Sequence, residues 1–155
     1  MKGKLRIVAA AASVCALVIV TALATSSLAG AGATTVHVIE HATTDVVIDT
    51  GAAGDTSGDL LTFANDVYNA NDTAVVGHDQ GDCVRIDPAA GSWECRWVTI
   101  LDNGSITVEG PFYDTTNSVL AITGGTGAYK GARGQMRLKS RDGGAKYDFI
   151  FRIIG

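Results

Sequence analysis

Helical periodicity is the feature that this sequence most clearly lacks. Beyond residue 33, no stretch repeats apolar residues at the three- and four-residue spacing of an amphipathic helix. The motifs of common enzyme sites are missing too: no Gly-x-Ser-x-Gly elbow occurs, and His37, His41 and His78 lack the spacing of a zinc site. We therefore expect no α/β-hydrolase and no metal, and we place the three histidines at the surface or in loops.

The chain also lacks a complete phosphate-binding motif, although residues 121–136, AITGGTGAYKGARGQM, are rich in glycine. A P-loop needs Gly-Lys-Ser/Thr at the start of a helix, and a dinucleotide fingerprint needs a βαβ unit. Neither is present. We interpret these glycines as bends and close approaches between β-strands, and we expect no cofactor.

Basic residues are scarce wherever acidic residues are frequent. Beyond position 33 there are sixteen acidic and nine basic residues, a formal charge of −7. Residues 40–102 contain twelve acidic residues and only two basic ones, Arg85 and Arg96. Because phosphate contacts dominate nucleic-acid affinity, we expect no nucleic-acid partner. The basic segment 130–152 and the acidic segment 49–61 are interpreted as a solvated face and a solvated loop.

Residues 1–33 have the order of a secretory signal peptide. Lys2, Lys4 and Arg6 precede an apolar run, and small residues then provide Ala-x-Ala cleavage sites that end at Ala31 and Ala33. The alternative is a permanent membrane anchor, since the run is close to the shortest spanning length. The alanine-rich, bacterial-type signal predicts a secreted protein with no membrane partner after cleavage, and one domain over 34–155.

The remaining segment has the pattern of a chain of antiparallel strands. About eight short runs rich in branched and aromatic residues are separated by glycine, asparagine or aspartate. Asn103-Gly104 is a strong hairpin signal between two of these runs. Eight strands in about 120 residues favour a closed barrel, which has no exposed edges, over a sandwich. The expected fold class is an all-β, eight-stranded antiparallel barrel.

Four segments in the same order resemble the allene oxide cyclases: GDLLTFANDVY, VGHDQGDCVRI, GSITVEGPFYD and LAITGGTGAYKGARGQMRL. The segment GGTGAYKGARG is also similar to the dirigent proteins. The resemblance runs from Gly58 to the end of the chain. It implies an eight-stranded barrel with an apolar cavity, assembled as a homotrimer.

The resemblance also implies site residues, with departures. The cyclase glutamate falls at Val38, its asparagine at Glu40 and its tyrosine at Phe112, whereas Asn65 and Cys83 match the family. Trp93 aligns with a cavity phenylalanine. We predict Glu40 and Asn65 as catalytic residues. The predicted ligand-binding residues are Val38, Leu61, Phe63, Trp93 and Phe112.

The role of Glu40 depends on the register of its strand. Strand alternation places Val38 and Glu40 on one face. If that face is interior, desolvation raises the pKa of Glu40 and suits it to general acid or base catalysis. If the register differs by one residue, Glu40 faces solvent beside His37 or His41. The sequence leaves both open.

Two function classes follow from these features. The first is a secreted isomerase of the cyclase type, or a dirigent-like protein without redox activity of its own, that binds a small apolar molecule and steers its cyclisation or coupling. The alternative is a non-catalytic carrier or structural barrel filled by Phe63, Trp93 and Phe112. An open apolar cavity with Glu40 at its wall favours the first class.

Cys83 and Cys95 are the only cysteines beyond residue 33. The segment between them reads as a hairpin, and pairing Asp87 with Gly91 places the two cysteines opposite each other. An exported protein meets an oxidising environment, so we predict a disulfide. The alternative is two reduced thiols in the core.

Overall fold

The computed structural model describes residues 32–154, which form ten β-strands and two short 3-10 turns. The 3-10 turns are Gly127–Tyr129 and Asp142–Gly144. The strands are β1 (Thr34–His41), β2 (Val46–Ile48), β3 (Leu60–Phe63), β4 (Asp66–Asn69), β5 (Val75–Asp87), β6 (Ser92–Leu101), β7 (Gly104–Tyr113), β8 (Ser118–Gly125), β9 (Arg133–Arg141) and β10 (Lys146–Ile154).

All strand pairs are antiparallel, and they close into a barrel. Strands β5 to β10 pair with their neighbours in chain order, β10 pairs with β1, and β1 returns to β5 through β4. Strands β3 and β4 lie one after the other along the long β5, so the barrel has eight positions. The short β2 pairs with β3. The predicted closed eight-stranded barrel is confirmed.

The core lies inside the barrel because alternate residues of the longer strands point inward. Phe149, Phe151, Met136, Ile106 and Val108 are fully buried, and each belongs to the single core cluster of the described residues. The residues between them on the same strands are mostly exposed or half-buried. This two-residue period is what the sequence predicts for strands with one buried face.

The glycine-rich segment forms the end of β8, a 3-10 turn and the start of β9. A Cβ atom on Gly125 would lie 2.5 Å from the carbonyl oxygen of Tyr129, and Gly127 has a φ of +58°. Both positions therefore need glycine for a close backbone approach or a left-handed bend. This geometry fits the interpretation of the glycines as strand punctuation rather than a phosphate loop.

The disulfide between Cys83 and Cys95 is present, as predicted. The two residues are direct partners on β5 and β6, with Cα atoms 4.0 Å apart. The predicted turn, however, is wrong by one residue. Asp87 pairs with Ser92 rather than Gly91, because a bulge between Arg85 and Asp87 inserts one extra residue before the turn.

The predicted signal peptide falls almost entirely on residues 1–31, which lie outside the described part of the chain. Within residues 32–154, no helix is long and apolar enough to cross a membrane. The described residues also contain no group of three or more histidine, cysteine, aspartate or glutamate side chains arranged to hold a metal ion.

Candidate functional site

Glu40 points into the barrel. It lies on β1 opposite Tyr147 of β10 and Val67 of β4, and only 5% of its surface is exposed. The alternate residues of β1 face outward, where Nε2 of His37 lies 2.7 Å from Asp148 Oδ1 and Nε2 of His41 lies 2.6 Å from an Asp72 oxygen. The structure therefore selects the interior register of the two that the sequence left open.

Asn65 holds Glu40 in place. It follows the end of β3, and its Nδ2 group donates to Glu40 Oε1 at 2.9 Å and to Asp45 Oδ1 at 2.8 Å. Its Oδ1 atom accepts hydrogen bonds from the N–H groups of Thr43 and Thr44, both at 2.9 Å, and from the Thr44 hydroxyl. Every donor and acceptor of the amide is thus used. Asn65 positions the two carboxyl groups.

Asp79 is the third carboxyl group of the site, and the sequence analysis missed it. It lies on β5, is fully buried, and exchanges backbone hydrogen bonds with Asn65. Its Oδ1 atom accepts from the Asn65 N–H at 3.2 Å, and its carboxyl group also forms a side-chain hydrogen bond with that of Glu40. Alternation along β5 could have found it, since Asp79 and Cys83 are an even number of residues apart and share a face.

Burial sets the ionisation of this group of carboxyls. It is the largest cause that raises the pKa of Glu40 well above its ordinary value, and the charge of Asp79 raises that pKa further. The hydrogen bond from Asn65 opposes both effects. Burial likewise raises the pKa of Asp79 to about 7. Burial thus favours the neutral, protonated form of both Glu40 and Asp79.

A small cavity of about 60 Å³ adjoins Glu40. Its lining includes Asp45 and the disulfide-bonded Cys83 and Cys95. The rest of the lining is apolar or aromatic: Leu61, Phe63, Trp97, Phe112, Leu138, Tyr147 and Phe149. Typical small-molecule sites measure about 300–1,000 Å³. The cavity can hold a small group or a few waters as it stands, and a larger ligand needs its aromatic walls to move.

Three of the predicted ligand-binding residues, Leu61, Phe63 and Phe112, line this cavity, and two do not. Val38 is part of the buried core. Trp93 does not line the cavity; Trp97, four residues further along β6, lines it instead. Both tryptophans face inward by alternation, so the sequence alone does not show which one reaches Glu40.

Trp93 belongs to a different cluster, built around Arg85. The guanidinium carbon of Arg85 lies 4.5 Å from the Trp93 ring centre, and the group pairs with Asp55 and, at 2.6 Å, with Asp114. Asp114 also accepts from the Trp93 indole N–H at 2.9 Å. Asp59, in the same acidic segment as Asp55, is 1% exposed and accepts backbone N–H bonds. The interpretation of 49–61 as a solvated loop is therefore wrong for Asp59, whereas the side chain of Asp55 is 52% exposed.

Comparison with known proteins agrees with the barrel. The family model described as allene oxide cyclase matches residues 38–152. A pyocyanin demethylase structure is 25% identical, with a TM-score of 0.65 over 76% of this chain and 100% of that one. A pterocarpan synthase dirigent protein is 16% identical, with a TM-score of 0.66 over 81% and 96% of the two chains. An exo-specific intermolecular Diels-Alderase is 15% identical, with a TM-score of 0.64 over 80% and 99%.

Proposed function

This chain belongs to the allene oxide cyclase family, and we propose that it binds a small apolar molecule inside its barrel and steers that molecule's cyclisation or coupling. One observation carries the proposal. A buried carboxyl group, Glu40, stands at the wall of an aromatic cavity and is fixed there by Asn65. The structural neighbours that share the fold include a dirigent protein and a Diels-Alderase, which supports this reaction class.

Glu40 is proposed to act as a general acid. Because burial raises its pKa, the protonated form of the group is favoured, and it can donate its proton to an oxygen of the bound molecule as the ring closes. The resulting carboxylate takes the proton back from the cyclised molecule, so the isomerisation leaves both the enzyme and the proton count unchanged. Leu61, Phe63, Trp97 and Phe112 hold the reacting atoms in one geometry and exclude water.

The small cavity volume favours one rival function, a carrier or structural barrel whose interior is filled by its own side chains. Titration with a neutral hydrophobic dye such as Nile red separates the two. The proposal expects saturable binding that Phe63→Ala and Trp97→Ala both change. Val119→Ala, on the exposed face of β8, should leave it unchanged. The absence of saturable binding would leave the filled barrel.

Catalysis is tested with a panel of unsaturated epoxides, with product handedness measured by chiral chromatography. Glu40→Gln keeps the shape of the side chain and removes the acid, so turnover should fall about 100-fold while dye binding is kept. The matched control is Glu94→Gln, because Glu94 is exposed on the outer face of β6. A Glu40→Gln variant with the parent rate would remove Glu40 from the mechanism.

Secretion and trimer formation are part of the same proposal. The disulfide fits an extracellular protein, and the order of residues 1–33 fits a cleaved signal peptide. N-terminal sequencing of exported protein should begin near Gly32 or Thr34, and retention of Met1 in a membrane fraction would contradict this. The exposed apolar side chains of β2 offer a surface for assembly. Sedimentation equilibrium should give a trimer mass.

A further inference from the structure

The two tryptophans of the chain differ in how their indole N–H groups are used. Both lie on the inward face of β6, and only 6% of Trp93 and 4% of Trp97 is exposed. The N–H of Trp93 donates to Asp114 at 2.9 Å, whereas that of Trp97 has no acceptor among the described residues. Buried donors are rarely left unpaired in native proteins. The exception lies at Trp97, which lines the cavity beside Glu40.

The neighbours of Trp97 explain why the barrel itself supplies no acceptor. Its partners in register, Gly81 of β5 and Val108 of β7, have no polar side-chain atom. Its ring packs against Phe63 and Phe149, with ring centres 5.9 and 5.4 Å away. Aromatic faces are only weak acceptors for N–H groups. A molecule bound in the cavity can supply the acceptor that these neighbours lack.

The charges around the cavity limit what that acceptor can be. Glu40 and Asp45 belong to the lining, and no lysine, arginine or histidine does within residues 32–154. A carboxylate ligand would therefore enter beside two acidic groups with no cation to compensate its charge. A basic amine would take a proton beside these acids, and an ammonium group has no lone pair for the Trp97 N–H. An uncharged oxygen, such as that of a carbonyl group, meets both conditions.

From these observations we infer that the bound molecule carries an uncharged oxygen acceptor of the carbonyl type on a compact apolar or aromatic body, and that the Trp97 indole N–H donates to this oxygen. The apolar body lies against other side chains of the lining, such as Phe63 and Phe112. This inference rests on the proposed function, because it names the substrate class of the same cavity. It assigns to Trp97 the orientation of that molecule relative to Glu40.

Nuclear magnetic resonance of the indole groups tests the hydrogen bond directly. The chain has two tryptophans, so the nitrogen-labelled, disulfide-bonded mature protein gives two indole N–H signals, which either Trp93→Phe or Trp97→Phe assigns. Acetophenone should move the Trp97 proton signal downfield and leave the Trp93 signal in place, because Trp93 already donates to Asp114. α-Methylstyrene, in which a methylene group replaces the carbonyl oxygen, should bind without that downfield shift. No shift with acetophenone, or the same shift with both probes, would overturn the inference.

An isosteric replacement measures what the hydrogen bond contributes to affinity. 3-Benzothienylalanine keeps the shape of tryptophan and has sulfur in place of the N–H group. In place of Trp97 it should weaken acetophenone binding about fivefold in calorimetric titration and change α-methylstyrene binding by less than about twofold. The matched control is the same replacement of Trp93, which does not line the cavity, and it should leave both affinities unchanged. An unchanged acetophenone affinity, or equal losses for both probes, at Trp97 would contradict the inference.

Benzoate tests whether the acceptor has to be uncharged. It has the phenyl ring and the carbonyl oxygen of acetophenone, with a charged oxygen in place of the methyl group. Because the lining offers it no cation, benzoate should bind at least about tenfold more weakly than acetophenone at neutral pH. Equal or tighter binding of benzoate would show that the site accepts an anion, and the inference would be wrong.

The inference and the proposed function fail in different ways. If Nile red binds and acetophenone leaves the Trp97 signal in place, the cavity binds apolar molecules and only the inference is lost. If neither Nile red nor any of the smaller probes binds, the proposed function fails together with the inference.

Discussion

Two polar clusters lie on the same inward face of β5, about 20 Å apart along the strand, and they balance their charges in opposite ways. At Arg85, one buried cation faces two carboxylates and an aromatic ring, so its charge is paired on every side. At Asp79, three carboxyl groups meet Asn65, whose side-chain amide donates to Glu40 and Asp45 and whose backbone N–H donates to Asp79. No cation lies among the described residues of the cavity lining. The first arrangement stabilises the fold, whereas the second keeps a protonated carboxyl group beside the cavity.

The largest predicted effect on the free energy of unfolding comes from removing the cation of the Arg85 cluster. Arg85→Met keeps an apolar contact with Trp93 but leaves Asp55 and Asp114 without their cation. We expect the free energy of unfolding to fall by about 3 kcal/mol, at the low end for a broken buried ion pair because both aspartates are partly exposed. Urea denaturation followed by tryptophan fluorescence measures the loss.

A matched control is available on the neighbouring strand. Arg96 pairs with Asp82 at 3.1 Å, and its side chain is 73% exposed. Arg96→Met should change stability by less than about 0.5 kcal/mol, since surface ion pairs contribute little. Similar losses in the two variants would mean that the Arg85 cluster is no more stabilising than a surface pair.

The carboxyl cluster around Asp79 should make the stability of the protein depend on pH. The pKa of Asp79 is about 7 in the folded protein and near 4 when unfolded, so the folded state holds more protons between these values. The contribution of Asp79 to stability therefore decreases as the pH rises from about 4 to 7 and changes little above that range. Glu40, whose pKa is also raised, acts in the same direction.

We expect the parent protein to be about 1–2 kcal/mol less stable at pH 8 than at pH 5 because of these groups. Asp79→Asn should flatten this slope, since the amide does not ionise. Urea denaturation at a series of pH values gives both curves. A parent protein whose stability is constant from pH 5 to 8 would show that Asp79 titrates normally.

The smallest predicted effect is a difference between Asp79 and Asp45 in how far each raises the pKa of Glu40. The charge of Asp79 raises the pKa of Glu40 more than the charge of Asp45 does. Asp79→Asn should therefore lower the pKa of Glu40 more than Asp45→Asn. The chain has only three glutamates, so carbon NMR of the labelled carboxyl groups can follow Glu40 directly. The reverse order would place Asp45 as the dominant neighbour.

Strand alternation explains which parts of this molecule were predictable. It indicated the barrel, the pairing of Cys83 with Cys95, and the shared face of Val38 and Glu40, because each depends on a two-residue period. It could not choose between the two registers of β1, or between Trp93 and Trp97. Those choices depend on which residues of distant strands, such as Tyr147, stand opposite.

The polar clusters were harder to predict for a different reason. Arg85 meets Asp55 and Asp114 across about 30 positions of sequence in each direction, and no local pattern marks such a pair. Asp79 looked like one more acidic residue in an acidic segment. Its inward direction follows from alternation with Cys83. Its contact with Asn65, and through Asn65 with Glu40, depends on how β1 and β5 are brought together in the fold.

The pairing of β1 with β10 has a consequence for the order in which the parts of the barrel fold. Thr34 lies opposite Ile153, so the first and last strands of the described chain form one seam of the barrel. The β5–β6 hairpin, by contrast, needs only neighbouring residues and is held by its disulfide. Because closing a long loop costs more entropy than closing a short one, we expect the hairpin to form early and the seam late. During synthesis, the barrel therefore stays open until its last strand has emerged.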